Sequence, residues 1–87
     1  MEMEAVGGFY AYLLECIDGT LYAGWTTNPE KRLKSHNDGA GAKYTRGRRP
    51  VRLLKSWSFP TKSEAMQFEA WLKRQPRAKK MALLNDI

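Results

Sequence analysis

An α+β fold is predicted for this 87-residue sequence: a three-stranded antiparallel sheet flanked by helices, in the order β-β-α-β-α-α. Three observations predict it. Two aromatic and aliphatic runs, "FYAYLLEC" and "TLYAGW", flank Asp18-Gly19, a strong hairpin dipeptide. A period-two run, "VRLLKSWSF", supplies a third strand. Between and after the strands, apolar residues recur at helical spacing behind capping residues.

The hairpin comes first, and its loop decides where Tyr12 and Tyr22 point. A two-residue loop would send them to opposite faces, whereas a three-residue loop running through Thr20 pairs Cys16 with Tyr22 and unites them. The three-residue loop is predicted. In "TNPEKRLKSHNDG", Asn28 suits the N-cap and Pro29 the first helical position, and Asp38-Gly39 marks the exit. "GAGAKYTRGRRP" follows as an exposed basic loop, because its glycines and closing proline break regular structure.

Val51, Leu53, Trp57 and Phe59 are then expected on one face of the third strand. Thr61 and Glu64 form a capping box that opens the second helix, which ends where Gln75 meets Pro76. A last basic helix follows, with Ala78, Met81 and Ala82 as its buried stripe.

Residues 1–87 are expected to form one domain with its core at about 9–84, since a chain this short buries its large apolar side chains in a single core. Composition excludes several classes. With 43% hydrophobic and 28% charged residues the chain is an ordered globular one. Its apolar runs fall short of the roughly 20 residues of a membrane span, and "MEMEAVGG" is acidic where an export signal is basic, so a cytoplasmic protein with no membrane partner is expected. The single Cys16 reads as a buried strand thiol.

Net charge is +6, and it is concentrated. Between Lys31 and Lys55 every charged side chain except Asp38 is basic, which points to a polyanion as partner. Lys43, Tyr44, Arg46, Arg48 and Arg49 are the expected nucleic-acid contacts, because an aromatic and glycines interleaved with bases suit a loop that follows a phosphate backbone. The second group, Lys73, Arg74, Arg77, Lys79 and Lys80, reads equally as binding surface or solvated surface.

Some residues are out of place for packing alone. Ala65, Phe68, Glu69 and Leu72 share one helical face, so a carboxylate looks toward the core. Such a carboxylate is either ion-paired, to Arg32 or a neighbouring lysine, or a metal ligand at a cleft edge. Arg32 and His36 stand one helical turn apart and can address one phosphate together, or simply face solvent.

With these residues in view, the chain resembles the GIY-YIG endonuclease family over about residues 9–84. Tyr10-Ala11-Tyr12 and Tyr22-Ala23-Gly24 stand where the two signature triplets would be, with Tyr10 replacing the first glycine and Ala11 and Ala23 replacing both central isoleucines. The ordered set Tyr12, Tyr22, Gly24, Arg32, His36 and Glu69, joined by "GAKYTR", carries the resemblance, which is strongest to the small stand-alone bacterial members. It implies that these six residues form a nuclease site for nucleic acid, DNA foremost. Glu69 would hold Mg²⁺ (or Mn²⁺), and Tyr22, helped by Tyr12 or His36, would orient or deprotonate water. Arg32 would stabilise phosphoryl charge, and Gly24 would let a phosphate or the first helix approach the strand. The alternatives are a catalytically inactive nucleic-acid-binding module and a subunit that needs a protein partner.

Overall fold

A computed structural model describes residues 7–85. The acidic N-terminal stretch 1–6 and residues 86–87 lie outside the described residues. Strands β1 (Phe9–Glu15), β2 (Leu21–Thr26) and β3 (Arg52–Phe59) form one antiparallel sheet in the order β2-β1-β3. Helix α1 (Pro29–Asn37) and a single turn, α2 (Lys43–Arg46), separate β2 from β3. Helices α3 (Lys62–Lys73) and α4 (Arg77–Ala82) and a 3₁₀ turn, Leu83–Asn85, complete the fold. The predicted α+β architecture is therefore present, with α2 as an addition inside the segment expected to be a loop.

The hairpin loop has three residues but sits one position earlier than expected. Cys16 N–H donates to the Thr20 carbonyl at 2.8 Å, so the loop is Ile17, Asp18 and Gly19, and Leu14 rather than Cys16 faces Tyr22. Gly19, at φ +83°, takes the left-handed position that ends such a loop. The Asp18 carboxylate accepts from the Thr20 N–H at 3.1 Å and its hydroxyl at 2.6 Å, which fixes the turn just before β2. Tyr12 pairs with Gly24, and Tyr22 with Leu14, so both tyrosines still share a face.

β3 does not keep one apolar face. Leu13 pairs with Lys55 while Leu14 pairs with Leu53, leaving Leu54 as an extra residue that switches the pleat. Val51 and Leu53 consequently pack with Tyr12, Leu14, Cys16, Tyr22 and Leu33 on the α1 side. Trp57 and Leu54 pack with Leu13, Ala23, Phe68, Trp71 and Leu72 on the α3 side.

The helix caps follow the sequence closely. Asn28 accepts from the Lys31 N–H at 3.1 Å and Pro29 opens α1. Thr61 accepts from the Glu64 N–H at 3.2 Å, and its hydroxyl donates to the Glu64 carboxylate at 2.9 Å. The stripe expected on α4 is not the one buried. Ala78 and Ala82 are exposed, and Leu83 and Leu84 of the following turn reach the α3-side core instead. Two leucines remove more apolar area from water than two alanines, so they set the docking.

Candidate active site

Four elements deliver the six sequence-predicted site residues. β1 supplies Tyr12, β2 supplies Tyr22 and Gly24, α1 supplies Arg32 and His36, and α3 supplies Glu69. They converge around the Tyr12 hydroxyl, where the Arg32 guanidinium, Tyr22 and Glu69 all lie close enough to act on its charge.

Tyr12 and His36 form the buried centre, with 2% and 0% of their surface exposed. The Tyr12 hydroxyl and His36 Nε2 are 2.9 Å apart. On the other side of the ring, His36 Nδ1 lies 2.8 Å from the hydroxyl of Thr45, itself fully buried, and that hydroxyl donates to the Ala42 carbonyl at 2.9 Å. Burial pushes the Tyr12 phenol above its ordinary value of 10.0, against the opposing pull of Arg32. It therefore stays protonated near neutral pH. Burial, reinforced by the charge of Arg32, pushes His36 below its ordinary 6.5, so the imidazole is neutral.

Tyr22 is the more accessible phenol. Its ring meets His36 edge-on at 5.4 Å and stacks on Tyr44 at 5.7 Å, and Arg48 lies 4.1 Å over the Tyr44 ring. The α2 turn thus touches both tyrosines, one through Tyr44 and the other through Thr45 and His36.

Gly24 has a different reason from the one expected. A Cβ there would come within 2.4 Å of the Tyr12 hydroxyl oxygen and 2.5 Å of Cζ, so the missing side chain makes room for the Tyr12 ring rather than for a phosphate or for α1.

Glu69 is ion-paired, as one of its two readings has it, and the partner is the neighbouring lysine, Lys73, at 3.3 Å. Its side chain is 17% exposed, and among the described residues no cluster of three His, Cys, Asp or Glu side chains could hold a metal ion. A single partly exposed carboxylate suits a hard cation that keeps most of its waters, which is the behaviour of Mg²⁺. Beside Arg32 opens a hollow of about 270 Å³ lined by Thr26, Thr27, Asn28, Lys31, Arg32 and Ser35. Hydroxyl, amide and cationic groups of this kind suit an oxyanion.

The basic segment divides in two. Arg48 donates to the Asp18 carboxylate at 3.0 Å and to the Tyr44 carbonyl at 2.9 Å, and Arg49 donates to the Arg46 and Asn37 carbonyls at 2.9 and 3.2 Å. These two arginines fasten the loop. Lys43 and Arg46 are exposed, and among the described residues their side chains have no such partner.

Sequence reasoning missed the parts played by Thr45 and Gly41. A Cβ on Gly41 would lie 2.3 Å from His36 Nδ1 and 2.8 Å from its Cα, so the glycine lets the loop close over the imidazole. Its signal was there, as the glycine of "GAKYTR", but only the fold shows what it must clear. Among the described residues no helix is long and apolar enough to cross a membrane.

Comparison with known proteins finds a matching family, similar sequences and similar solved structures. The model of a family described as the GIY-YIG catalytic domain matches residues 8–82. The UPF0213 protein of Halalkalibacterium halodurans is 51% identical over 76 residues, covering 87% of this chain and 81% of the relative. A UPF0213 protein of Bacillus licheniformis is 59% identical over 77 residues, covering 88% of this chain and 79% of the relative. The solution NMR structure of the UPF0213 protein from Bacillus halodurans superposes with a TM-score of 0.57 at 51% identity, over 88% of this chain and 82% of that one. That of a protein from E. faecalis does so with 0.58 at 46% identity, over 93% and 88%.

Proposed function

The chain belongs to the GIY-YIG catalytic-domain family, and from that premise we propose that it is a divalent-metal-dependent endonuclease hydrolysing phosphodiester bonds in nucleic acid, DNA foremost. The observation that carries this reading is the convergence of a carboxylate, a guanidinium and two phenols from four elements around the Tyr12 hydroxyl.

Each residue has a role that its surroundings support. Glu69 would hold the cation, which when bound supplies charge neutralisation at the scissile phosphate. Arg32 binds a phosphoryl oxygen and stabilises the charge that builds on it. Tyr22, the accessible phenol, orients the attacking water. Tyr12 is nearly inaccessible and protonated, so it acts on Arg32: its hydroxyl donates a hydrogen bond to His36 Nε2, and its oxygen is left to accept from the guanidinium. Lys43 and Arg46 hold the backbone of the substrate.

The test is cleavage of branched and single-stranded DNA by the purified protein with Mg²⁺ or Mn²⁺, repeated with Glu69→Ala and Arg32→Ala. Both variants should lose at least roughly a hundredfold in rate, and cleavage that survives both changes overturns the assignment. The Lys73 ammonium sitting on Glu69 favours a second reading, a binding module without cleavage. That reading requires affinity that falls steeply with salt and ignores both metal and Glu69→Ala.

A further inference from the structure

We propose that Thr45 is a positioning residue: its hydroxyl, committed to the Ala42 carbonyl, fixes His36 in the Nδ1–H tautomer and thereby sets the direction of the Tyr12 hydroxyl. Two assignments of the protons have to be weighed. In the first, Tyr12 donates to Nε2, Nδ1–H donates to the Thr45 oxygen, and the Thr45 hydroxyl donates to Ala42. Every one of the three short contacts, at 2.9, 2.8 and 2.9 Å, then has one proton in it.

In the second, Nε2–H donates to Tyr12, and Nδ1 accepts from Ala42 N–H at 3.4 Å and from Thr45. Thr45 has a single hydroxyl proton, so its contact with the Ala42 carbonyl would be oxygen against oxygen with no proton between. The Tyr12 proton would also be forced toward Arg32, which has only donors. Within a buried site the first assignment wins, because only the long Ala42 N–H contact is given up.

The consequence reaches the chemistry. With Nε2 bare, the Tyr12 oxygen presents its lone pairs to Arg32; with Nε2 protonated, it presents a proton and repels the guanidinium. A turn that sequence marks only as basic loop is in this way tied to the phosphate-binding arginine. This inference depends on the nuclease reading for its effect on rate, but not for the tautomer itself.

The chain contains one histidine, so its imidazole nitrogens can be read without ambiguity by long-range ¹⁵N–¹H NMR on protein labelled at histidine, without substrate, at mildly alkaline pH. The wild type and Thr45→Ser should both show a protonated Nδ1 and a bare Nε2. In Thr45→Val, which keeps the volume but loses the hydroxyl, that pattern should give way to the other tautomer or a mixture. A wild type with a protonated Nε2, or an unchanged pattern in Thr45→Val, overturns the proposal. In cleavage assays Thr45→Val should lose roughly tenfold to a hundredfold in kcat with KM little changed, and Thr45→Ser should recover most of it. A wild type that shows the expected tautomer and cuts nothing would sink the nuclease reading while leaving the lock in place.

Discussion

At the scale of single residues, the site depends on what is missing as much as on what is present. Gly24→Ala places a methyl 2.4 Å from the Tyr12 oxygen, and the ring cannot retreat without breaking its bond to His36. Overpacking of this kind costs about 1–3 kcal/mol, so chemical denaturation should register that loss together with a fall in cleavage. Gly47→Ala, where a Cβ meets nothing within 4 Å, is the matched control and should change neither. His36 yields a second expectation. Its folded value is pushed below 6.5, so above that pH both folded and unfolded imidazoles are neutral and full stability is present. As pH falls through 6.5 the unfolded chain takes up the proton first, and stability declines until the lowered folded value is passed. Urea unfolding of the wild type should show this acid-side slope, and His36→Gln should lack it. Protonation also turns Nε2 from acceptor to donor, so cleavage by the folded protein should persist below pH 6.5 and fail only as pH passes the lowered folded value. Sequence named Glu69 because a carboxylate on an apolar helical face is a costly choice, and Tyr12, Tyr22, Arg32 and His36 because their order along the chain carries the family resemblance. It misread Gly24, since an absent side chain reports only that something comes near.

At the scale of elements, Asn37 fastens the end of α1 to Val51, the residue just before β3. The Asn37 side chain accepts from the Val51 N–H at 2.7 Å and donates to the Val51 carbonyl at 2.9 Å, closing a small bridge at a residue that is 4% exposed. Asn37→Ala would leave both backbone groups without partners, at about 1–3 kcal/mol for each buried group. A urea titration should show the loss, whereas Lys34→Ala, which breaks only an exposed ion pair one turn away, should leave the midpoint nearly where it was. Caps and hairpin were legible because Asn28, Pro29, Thr61 and Asp18-Gly19 act over three or four residues of chain. The bulge was not. Leu53 and Leu54 are both apolar, so either phase of the strand satisfies the pattern, and only pairing with Leu13 and Leu14 decides between them. The same holds for α4, whose alanine spacing is locally helical while Leu83 and Leu84 determine what docks.

At the scale of the whole molecule, a net charge of +6 would draw a polyanion to the surface in general, but the structure distinguishes cations that are free to meet it from cations already engaged. Arg48 ties the basic segment to the hairpin loop through Asp18, and the Arg48 carbonyl accepts from the Ile17 N–H at 3.0 Å, so the segment is held against the sheet from both ends of this residue. Lys43 and Arg46 project from the same turn that holds Tyr44 and Thr45 against the phenol and the imidazole. A strand gripped by those two cations is therefore registered relative to Tyr22 and Arg32. Removing either should reduce the slope of log affinity against log salt by about one, with little change in fold stability, because each released phosphate contact returns its counterions. Arg48→Ala should do the reverse: its charge is spread over Asp18 and a carbonyl, so the salt slope should hold nearly constant while thermal stability falls. Binding isotherms at several salt concentrations, paired with melting curves for the three variants, separate the two outcomes, and an Arg48→Ala slope that drops like the others would mean that the engaged arginine swings out to the backbone when substrate arrives.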